Sequence, residues 1–186
     1  MQARIAPIRL LLLDVDGVLS DGRIVYDAHG TEIKTFDVKD GHGIKMLQRV
    51  GIEVGIISGR SSKVVNVRAK ELGIDILYQG IADKNLPYAE IVKERGLRDA
   101  EIAYVGDDVV DLPILRRVGF AVATADAVDD IRPYVHYVTN RCGGRGAVRE
   151  VCDLILKARG DWQAVMGGYF FSANSGVQEA PEKQFK

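Results

Sequence analysis

Ile8-Arg9-Leu10-Leu11-Leu12-Leu13-Asp14-Val15-Asp16-Gly17-Val18-Leu19 runs four leucines straight into a pair of acids and a glycine. A strand with one wet face alternates apolar and polar residues. A run apolar at every position fits a strand covered on both faces, as in a parallel sheet. Two further runs have the same form: residues 52–57 (IEVGII) end in Ser58-Gly59-Arg60, and residues 102–105 (IAYV) end in Gly106-Asp107-Asp108. Weaker runs lie at 76–78, 119–122 and 136–138. Helical patterns fall between them, over about 42–50, 61–72, 84–95, 108–117 and 146–159. In the last of these Val148, Val151, Cys152, Ile155 and Ala158 recur at the three-and-four spacing of an amphipathic helix. This alternation predicts an α/β fold, a doubly wound parallel sheet.

One stretch departs from the pattern. Residues 21–40 (DGRIVYDAHGTEIKTFDVKD) read as two strands, 23–26 and 32–36, joined by a turn containing Asp27, His29 and Gly30. The expectation is a β-hairpin over about 21–37, leaving the end of the first strand. A single domain is expected over 1–160, and residues 161–186, where periodicity fades, are read as a mobile C-terminal tail. The aromatic cluster Tyr169-Phe170-Phe171 within it reads as a chance grouping.

The 186 residues, 47% hydrophobic and 27% charged, suit one globular domain, and a chain of this size buries roughly 70% of its unfolded surface. A net charge of −1 removes the electrostatic case for general nucleic-acid binding but leaves room for an anionic small molecule met by a few local cations. Two cysteines, Cys142 and Cys152, draw neither a disulfide framework nor a CxxC metal pair, so a reducing, cytoplasmic setting is expected. Arg9 and the acids after a short apolar run argue against a signal peptide, and no run is long enough for a membrane span.

The chemistry gathers at strand ends. In an open α/β sheet, ligands sit beyond the carboxyl ends of the strands. Asp14 with Asp16, Ser58, and Asp107 with Asp108 all stand there, and Lys84 opens a helix. Carboxylates crowded at one edge repel unless a cation lies among them, and a few hard oxygen ligands describe Mg²⁺. Singly these residues say little: Asp favours turns and caps, Ser58 alone reads as an N-cap and Lys84 alone as a solvated charge. Their order and their place after successive apolar runs carry the weight. An EF-hand fails for want of a glutamate at the twelfth loop position.

The set Asp14-Val15-Asp16-Gly17-Val18, Ser58-Gly59-Arg60, Lys84, and Gly106-Asp107-Asp108 with Asp111 resembles the four motifs of the haloacid dehalogenase-like superfamily of phosphotransferases. Adding Asp40-Gly41-His42-Gly43-Ile44, residues 80–84 and the GGRGAVRE segment at 143–150, the chain is similar over about 8–160 to the 3-deoxy-D-manno-octulosonate 8-phosphate phosphatase family. Lys45 departs from the arginine many members carry there. The resemblance implies a Mg²⁺-dependent phosphatase in lipopolysaccharide precursor biosynthesis, working through an aspartyl-phosphate. It implies Asp14 as nucleophile, Asp16 as acid and base, and Mg²⁺ held by Asp14, the Asp16 carbonyl and Asp107. Ser58 and Lys84 would bind phosphoryl oxygens, Lys84 would also hold Asp14, and Asp108 and Asp111 would support the site.

Only 43 residues separate Asp14 from Ser58 and 22 separate Lys84 from Asp107, so no cap domain fits. The family implies a homotetramer whose hairpins form a central barrel while neighbouring subunits cover each site. The substrate, a small sugar acid phosphate, needs cations beyond Lys84, and Lys45, Arg60 and Arg68 are the candidates. Arg60 and Arg68 share a face if a helix begins near 60. By resemblance they line the site with Gly59 and the segment Asp37-Val38-Lys39-Asp40-Gly41. The rivals are a phosphatase for a nine-carbon sugar acid phosphate, a non-catalytic oligomerisation module, and a DxD glycosyltransferase. The intact acids and Lys84 disfavour the second, and the short chain disfavours the third.

Overall fold

The computed structural model describes residues 1–170. A short helix α1 (Gln2–Ile5) precedes the central strand β1 (Leu10–Leu13). The hairpin strands β2 (Val25–Tyr26) and β3 (Glu32–Ile33) follow, then α2 (Val38–Arg49), β4 (Glu53–Ile57), α3 (Lys63–Leu72), β5 (Ile76–Tyr78) and α4 (Asn85–Arg95). The second half holds β6 (Ile102–Gly106), α5 (Leu112–Leu115), β7 (Phe120–Ala123), β8 (Tyr137–Val138), α6 (Ala147–Arg159) and α7 (Trp162–Phe170). The main sheet runs β5-β4-β1-β6-β7-β8, with every pairing parallel.

The chain leaves β1 in one direction for β4 and β5, then returns across it to build β6, β7 and β8. The switch point lies beside β1, where an α/β sheet opens a crevice at its carboxyl edge. Leucine runs suit β1 because its side chains alternate between two cores. Leu11 and Leu13 pack on the face covered by α2, α3 and α6. Leu10 and Leu12 pack on the face covered by α4 and α5. All four are fully buried.

The region expected as one helix over 108–117 is a 3-10 turn (Val109–Asp111) followed by the short α5. Leu112-Pro113 explains the break, since proline suits a first helical turn and not an interior. Within the expected tail, Trp162–Phe170 form α7, with Val165 buried and Trp162 and Met166 against the core. The spacing of Trp162, Val165, Met166 and Tyr169 is helical, but Gly167-Gly168 obscures it. Tyr169 is no chance aromatic: its hydroxyl meets His42 Nε2 at 2.8 Å and the Arg49 guanidinium, both on α2. Phe171 and the rest of the expected tail lie outside the described residues.

The hairpin forms where expected but is short, pairing Val25 with Ile33 and Tyr26 with Glu32. Asp27 closes its turn by accepting the His29 and Thr31 amides at 2.8 Å each.

Asp40 on α2 is buried, and its carboxylate accepts the Arg149 amide at 2.7 Å and the Gly146 amide at 3.3 Å, capping α6 from another helix. Just before that cap, Gly144 donates to the Val18 carbonyl at 2.9 Å, and a Cβ on Gly143 would stand 1.8 Å from the Gly17 carbonyl oxygen. The glycines therefore let the loop before α6 lie directly on the loop after β1.

Burial outweighs the two amides and raises the Asp40 carboxyl to about 6 from an unperturbed 3.8. A carboxyl raised in the folded state favours folding below the unfolded value, and that contribution is lost as pH rises through the folded one. Wild type should lose up to about 3 kcal/mol relative to Asp40→Asn as pH rises from about 4 to about 7. Urea melts of both proteins across that range measure the change, and a gap that does not move with pH would refute it.

Candidate active site

Asp14 follows β1 and Asp107 follows its neighbour β6, with Leu13 level with Val105 across the pair. The Asp14 amide donates to the Val105 carbonyl at 3.1 Å, so the sheet's own ladder sets the two acids side by side. Gly17, at φ +85°, gives Asp107 its space: a Cβ there would lie 2.0 Å from Asp107 Oδ2. One oxygen from each of Asp14, Asp107 and Asp111 falls within 4.8 Å of the others.

Lys84 is buried at the start of α4, and its ammonium reaches Asp14 Oδ2 at 2.9 Å and Asp111 Oδ1 at 2.7 Å. Burial pulls this ammonium towards neutrality, but Asp111 and Asp14 outweigh it and hold the group above its ordinary value. Burial raises the Asp14 carboxyl to about 6, with Asp111 adding and Lys84 opposing. Asp107 is raised further, to about 8, by burial and then by the charges of Asp111, Asp14 and Asp108. One lysine therefore leaves negative charge uncompensated beside two hard carboxylates. That is the electrostatic setting of a divalent cation, and Mg²⁺ is the cofactor these oxygen donors fit.

Asp111 joins the carboxylate cluster, but its oxygens are engaged by protein groups. Oδ2 accepts the Asp107 and Asp108 amides at 2.9 and 3.3 Å, and Oδ1 takes Lys84 and the Tyr104 hydroxyl. It holds the loop and the lysine. The Asp108 side chain is exposed and caps the 3-10 turn through the Val109 amide at 2.6 Å.

Asp16 faces the hairpin. Its Oδ1 meets the Ser20 hydroxyl at 3.4 Å and the Lys34 ammonium, while Arg60 Nη1 stands 3.9 Å from Oδ2. The Lys34 side chain is 1% exposed and also lies 3.5 Å from Glu32. Glu32 in turn binds Arg60 Nη2 at 2.9 Å and the Ser62 hydroxyl. Sequence reasoning missed Lys34 and Glu32. Nothing in a short alternating strand marks a lysine that folds back onto an acid 18 residues earlier. Ser58 is buried at the end of β4 and accepts the Arg60 amide at 3.4 Å, with Gly59 exposed between them. Arg60 Nη1 is the one buried side-chain polar atom among the described residues without a hydrogen-bond partner.

The other expected cations do not converge within this chain. The helix begins at Lys63, after an extended Ser62, so Arg60 lies in the preceding turn and shares no helical face with Arg68. Arg68 pairs with Glu71 at 3.2 Å and stacks over Phe36. The Lys45 ammonium lies 3.2 Å from where a Cβ on Gly73 would stand, at the far end of α3, where a helix C-terminus favours cations. In the 37–41 segment, Asp37 caps α2 through the Lys39 amide and Val38 is exposed. Asp40 caps α6, and Gly41 packs against Arg68.

A family model described as haloacid dehalogenase-like hydrolase matches residues 37–119. The chain is 49% identical over 164 residues to 3-deoxy-D-manno-octulosonate 8-phosphate phosphatase KdsC of Yersinia pestis, covering 88% of each chain. A crystal structure of the phosphatase of that name from Yersinia pestis superposes with a TM-score of 0.84 at 50% identity, covering 86% of both chains. The enzyme of that name from Moraxella catarrhalis, in complex with magnesium, phosphate and KDO, superposes with a TM-score of 0.88 at 43% identity, covering 90% of this chain and 97% of that one.

The raised Asp107 carboxyl yields a test of the metal site. Its folded-state cost is absent at low pH and complete above about pH 8. In EDTA at pH 8.5, Asp107→Asn should therefore melt above wild type. With Mg²⁺ at roughly a hundred times its dissociation constant for wild type, wild type gains about 2.7 kcal/mol and the variant should gain much less. An equal Mg²⁺-induced rise in the two melting temperatures would refute the site.

Proposed function

The chain belongs to the 3-deoxy-D-manno-octulosonate 8-phosphate phosphatase family of haloacid dehalogenase-like hydrolases, and from that premise we propose the role of each residue at the carboxyl edge of its sheet. The reaction is Mg²⁺-dependent hydrolysis of 3-deoxy-D-manno-octulosonate 8-phosphate to 3-deoxy-D-manno-octulosonate and phosphate, a step of lipopolysaccharide precursor biosynthesis. The observation that carries the assignment is Asp14, held at the end of β1 by Lys84 and beside Asp107.

Asp14 attacks phosphorus and takes the phosphoryl group as an aspartyl-phosphate. Its Oδ1 accepts the Val15 amide at 2.7 Å and its Oδ2 accepts Lys84, so both oxygens are oriented before substrate arrives. Asp16 gives a proton to the leaving sugar oxygen and then takes one from the attacking water. Ser20 and Lys34 both engage Oδ1, which leaves Oδ2 as the oxygen for that proton. Asp14, the Asp16 carbonyl and Asp107 would hold Mg²⁺, which would supply positive charge to offset the anionic phosphate. Ser58 and Lys84 bind phosphoryl oxygens. Arg60, whose Nη1 has no hydrogen-bond partner, is a donor for the anionic substrate.

The working assembly is a homotetramer. Ile24, Val25, Tyr26 and Ile33 are each about half exposed on a hairpin with strands of only two residues, and such a ribbon is marginal alone. Packing hairpins together buries these side chains, and a neighbouring copy then covers the open site, with Arg68 and the exposed Val38 and Lys39 reaching across. The free Cys142 and Cys152 suit the cytoplasm.

Phosphate release from a panel of sugar phosphates, with and without Mg²⁺, tests the reading directly. 3-Deoxy-D-manno-octulosonate 8-phosphate should be preferred over nine-carbon sugar acid phosphates, and EDTA should stop turnover. Asp14→Asn should be inactive. Asp16→Ala should lose about 10²–10⁴-fold on the sugar phosphate and much less on an aryl phosphate, whose leaving group needs little protonation. An equal loss on both substrates would refute the acid role of Asp16. Light scattering should give a tetramer for wild type and smaller species for Ile24→Lys with Ile33→Lys. A monomer with full activity would refute the shared site.

A further inference from the structure

The two large phenols of the core face on the α4–α5 side of the sheet have different neighbours. Tyr104, on β6 two residues before Gly106, is fully buried, yet its hydroxyl reaches the site from beneath. It donates to Asp111 Oδ1 at 2.6 Å and accepts from the Lys84 ammonium at 3.2 Å. Lys84 also meets Asp111 Oδ1 at 2.7 Å and Asp14 Oδ2 at 2.9 Å. An ammonium has three N–H groups, and the protein offers it three acceptor atoms: Asp14 Oδ2, and Asp111 Oδ1 and the Tyr104 hydroxyl close together on one side. Such a group is fixed in direction as well as in place.

We propose that Tyr104 is a positioning residue for the phosphoryl-transfer step, its hydroxyl bracing Asp111 and Lys84 from below so that Lys84 holds the Asp14 carboxylate in line for attack. The floor of the site is then a closed set of bonds through Asp14, Lys84, Tyr104 and Asp111, all four buried. Asp111 carries the same constraint to the other side, because its second oxygen holds the Asp107 and Asp108 amides. Removing the oxygen at position 104 takes one of its three acceptors from the Lys84 ammonium and leaves Asp111 Oδ1 without its neutral donor. Lys84 is then free to turn between two carboxylates, and Asp14 loses its fixed orientation. Small misplacements of a reacting group cost rate more than binding.

Tyr88 on α4 supplies the control. It is equally buried on the same core face and donates to a carboxylate, Asp99, at 2.7 Å, but that carboxylate is in the turn before β6, at the opposite edge of the sheet. Tyr104→Phe and Tyr88→Phe make the same chemical change in the same core.

The inference rests on Asp14 as nucleophile, so Asp14→Asn is assayed alongside. Tyr104→Phe should lower kcat for the sugar phosphate about ten- to a hundredfold, as for a hydrogen bond to charged groups, with KM and the Mg²⁺ activation constant within about threefold of wild type. Tyr88→Phe should lower the melting temperature comparably and leave kcat unchanged. A Tyr104→Phe enzyme with wild-type kcat, or with a loss shared by Tyr88→Phe, overturns the role of Tyr104 alone. An active Asp14→Asn overturns the assignment beneath it. If Tyr104→Phe does not fold, Asp111→Asn probes the same bonds while keeping the side chain's size. A fall in kcat at constant KM supports the proposal, and wild-type kcat overturns it.

Discussion

The buried ammonium of Lys84, set between two carboxylates, organises the carboxyl edge of this sheet. Lys84 is pinned by Asp14 and Asp111, and each carboxylate belongs to a different segment: the loop after β1 and the 3-10 turn after β6. Breaking such a pair by removing one partner leaves an uncompensated charge in a dry setting, which costs far more than the pair contributes on balance. The bridge is therefore a weak source of stability and a strong source of registry. It requires β1 and β6 to end level, which the parallel ladder already demands. What the lysine leaves uncompensated, at Asp14 and Asp107, is the charge a divalent cation answers.

Much of this was legible in the sequence. Leu10 to Leu13 read as a central strand because every position is apolar, and the structure buries all four on two faces. Asp14, Ser58 and Asp107 read as site residues because each interrupts an apolar run, and all three stand at strand ends. What stayed hidden depends on geometry that no spacing encodes. Asp40 looked like a substrate ligand beside Gly41, but α2 packs so closely on α6 that the carboxylate is captured by two backbone amides. Arg60 and Arg68 looked like one helical face, but the two serines after Arg60 delay the helix to Lys63. Lys34 gave no signal, since its partner Asp16 comes near only when the hairpin folds over the loop. Tyr104 did carry one: it is the single hydroxyl in an otherwise apolar strand, two residues before the glycine that opens the acidic loop.

The hairpin serves the site within its own chain as well as offering an apolar face. Glu32 and Lys34 project from β3 and its continuation onto Arg60, Ser62 and Asp16, so the ribbon is fastened across the mouth of the crevice by charge. The opposite anchorage is steric. Gly143 and Gly144 lie on the loop after β1 at distances where no side chain fits. The loop after β1 is thus held from two sides by different physics: ion pairs that salt and pH weaken, and a backbone contact that neither touches.

The strand order also has a temporal side. β1 is the first strand made, yet it ends in the middle of the sheet, between β4 and β6. A ribosome delivers Asp14 93 residues before Asp107. Until β6 emerges, β1 and β4 present an apolar edge with unpaired backbone, the kind of surface that invites wrong partners. Folding cannot finish half by half, because each side of the sheet needs β1 as its border. The arrangement that sets two acids side by side therefore makes the chain wait for its second half before it has either a closed core or a place for the metal.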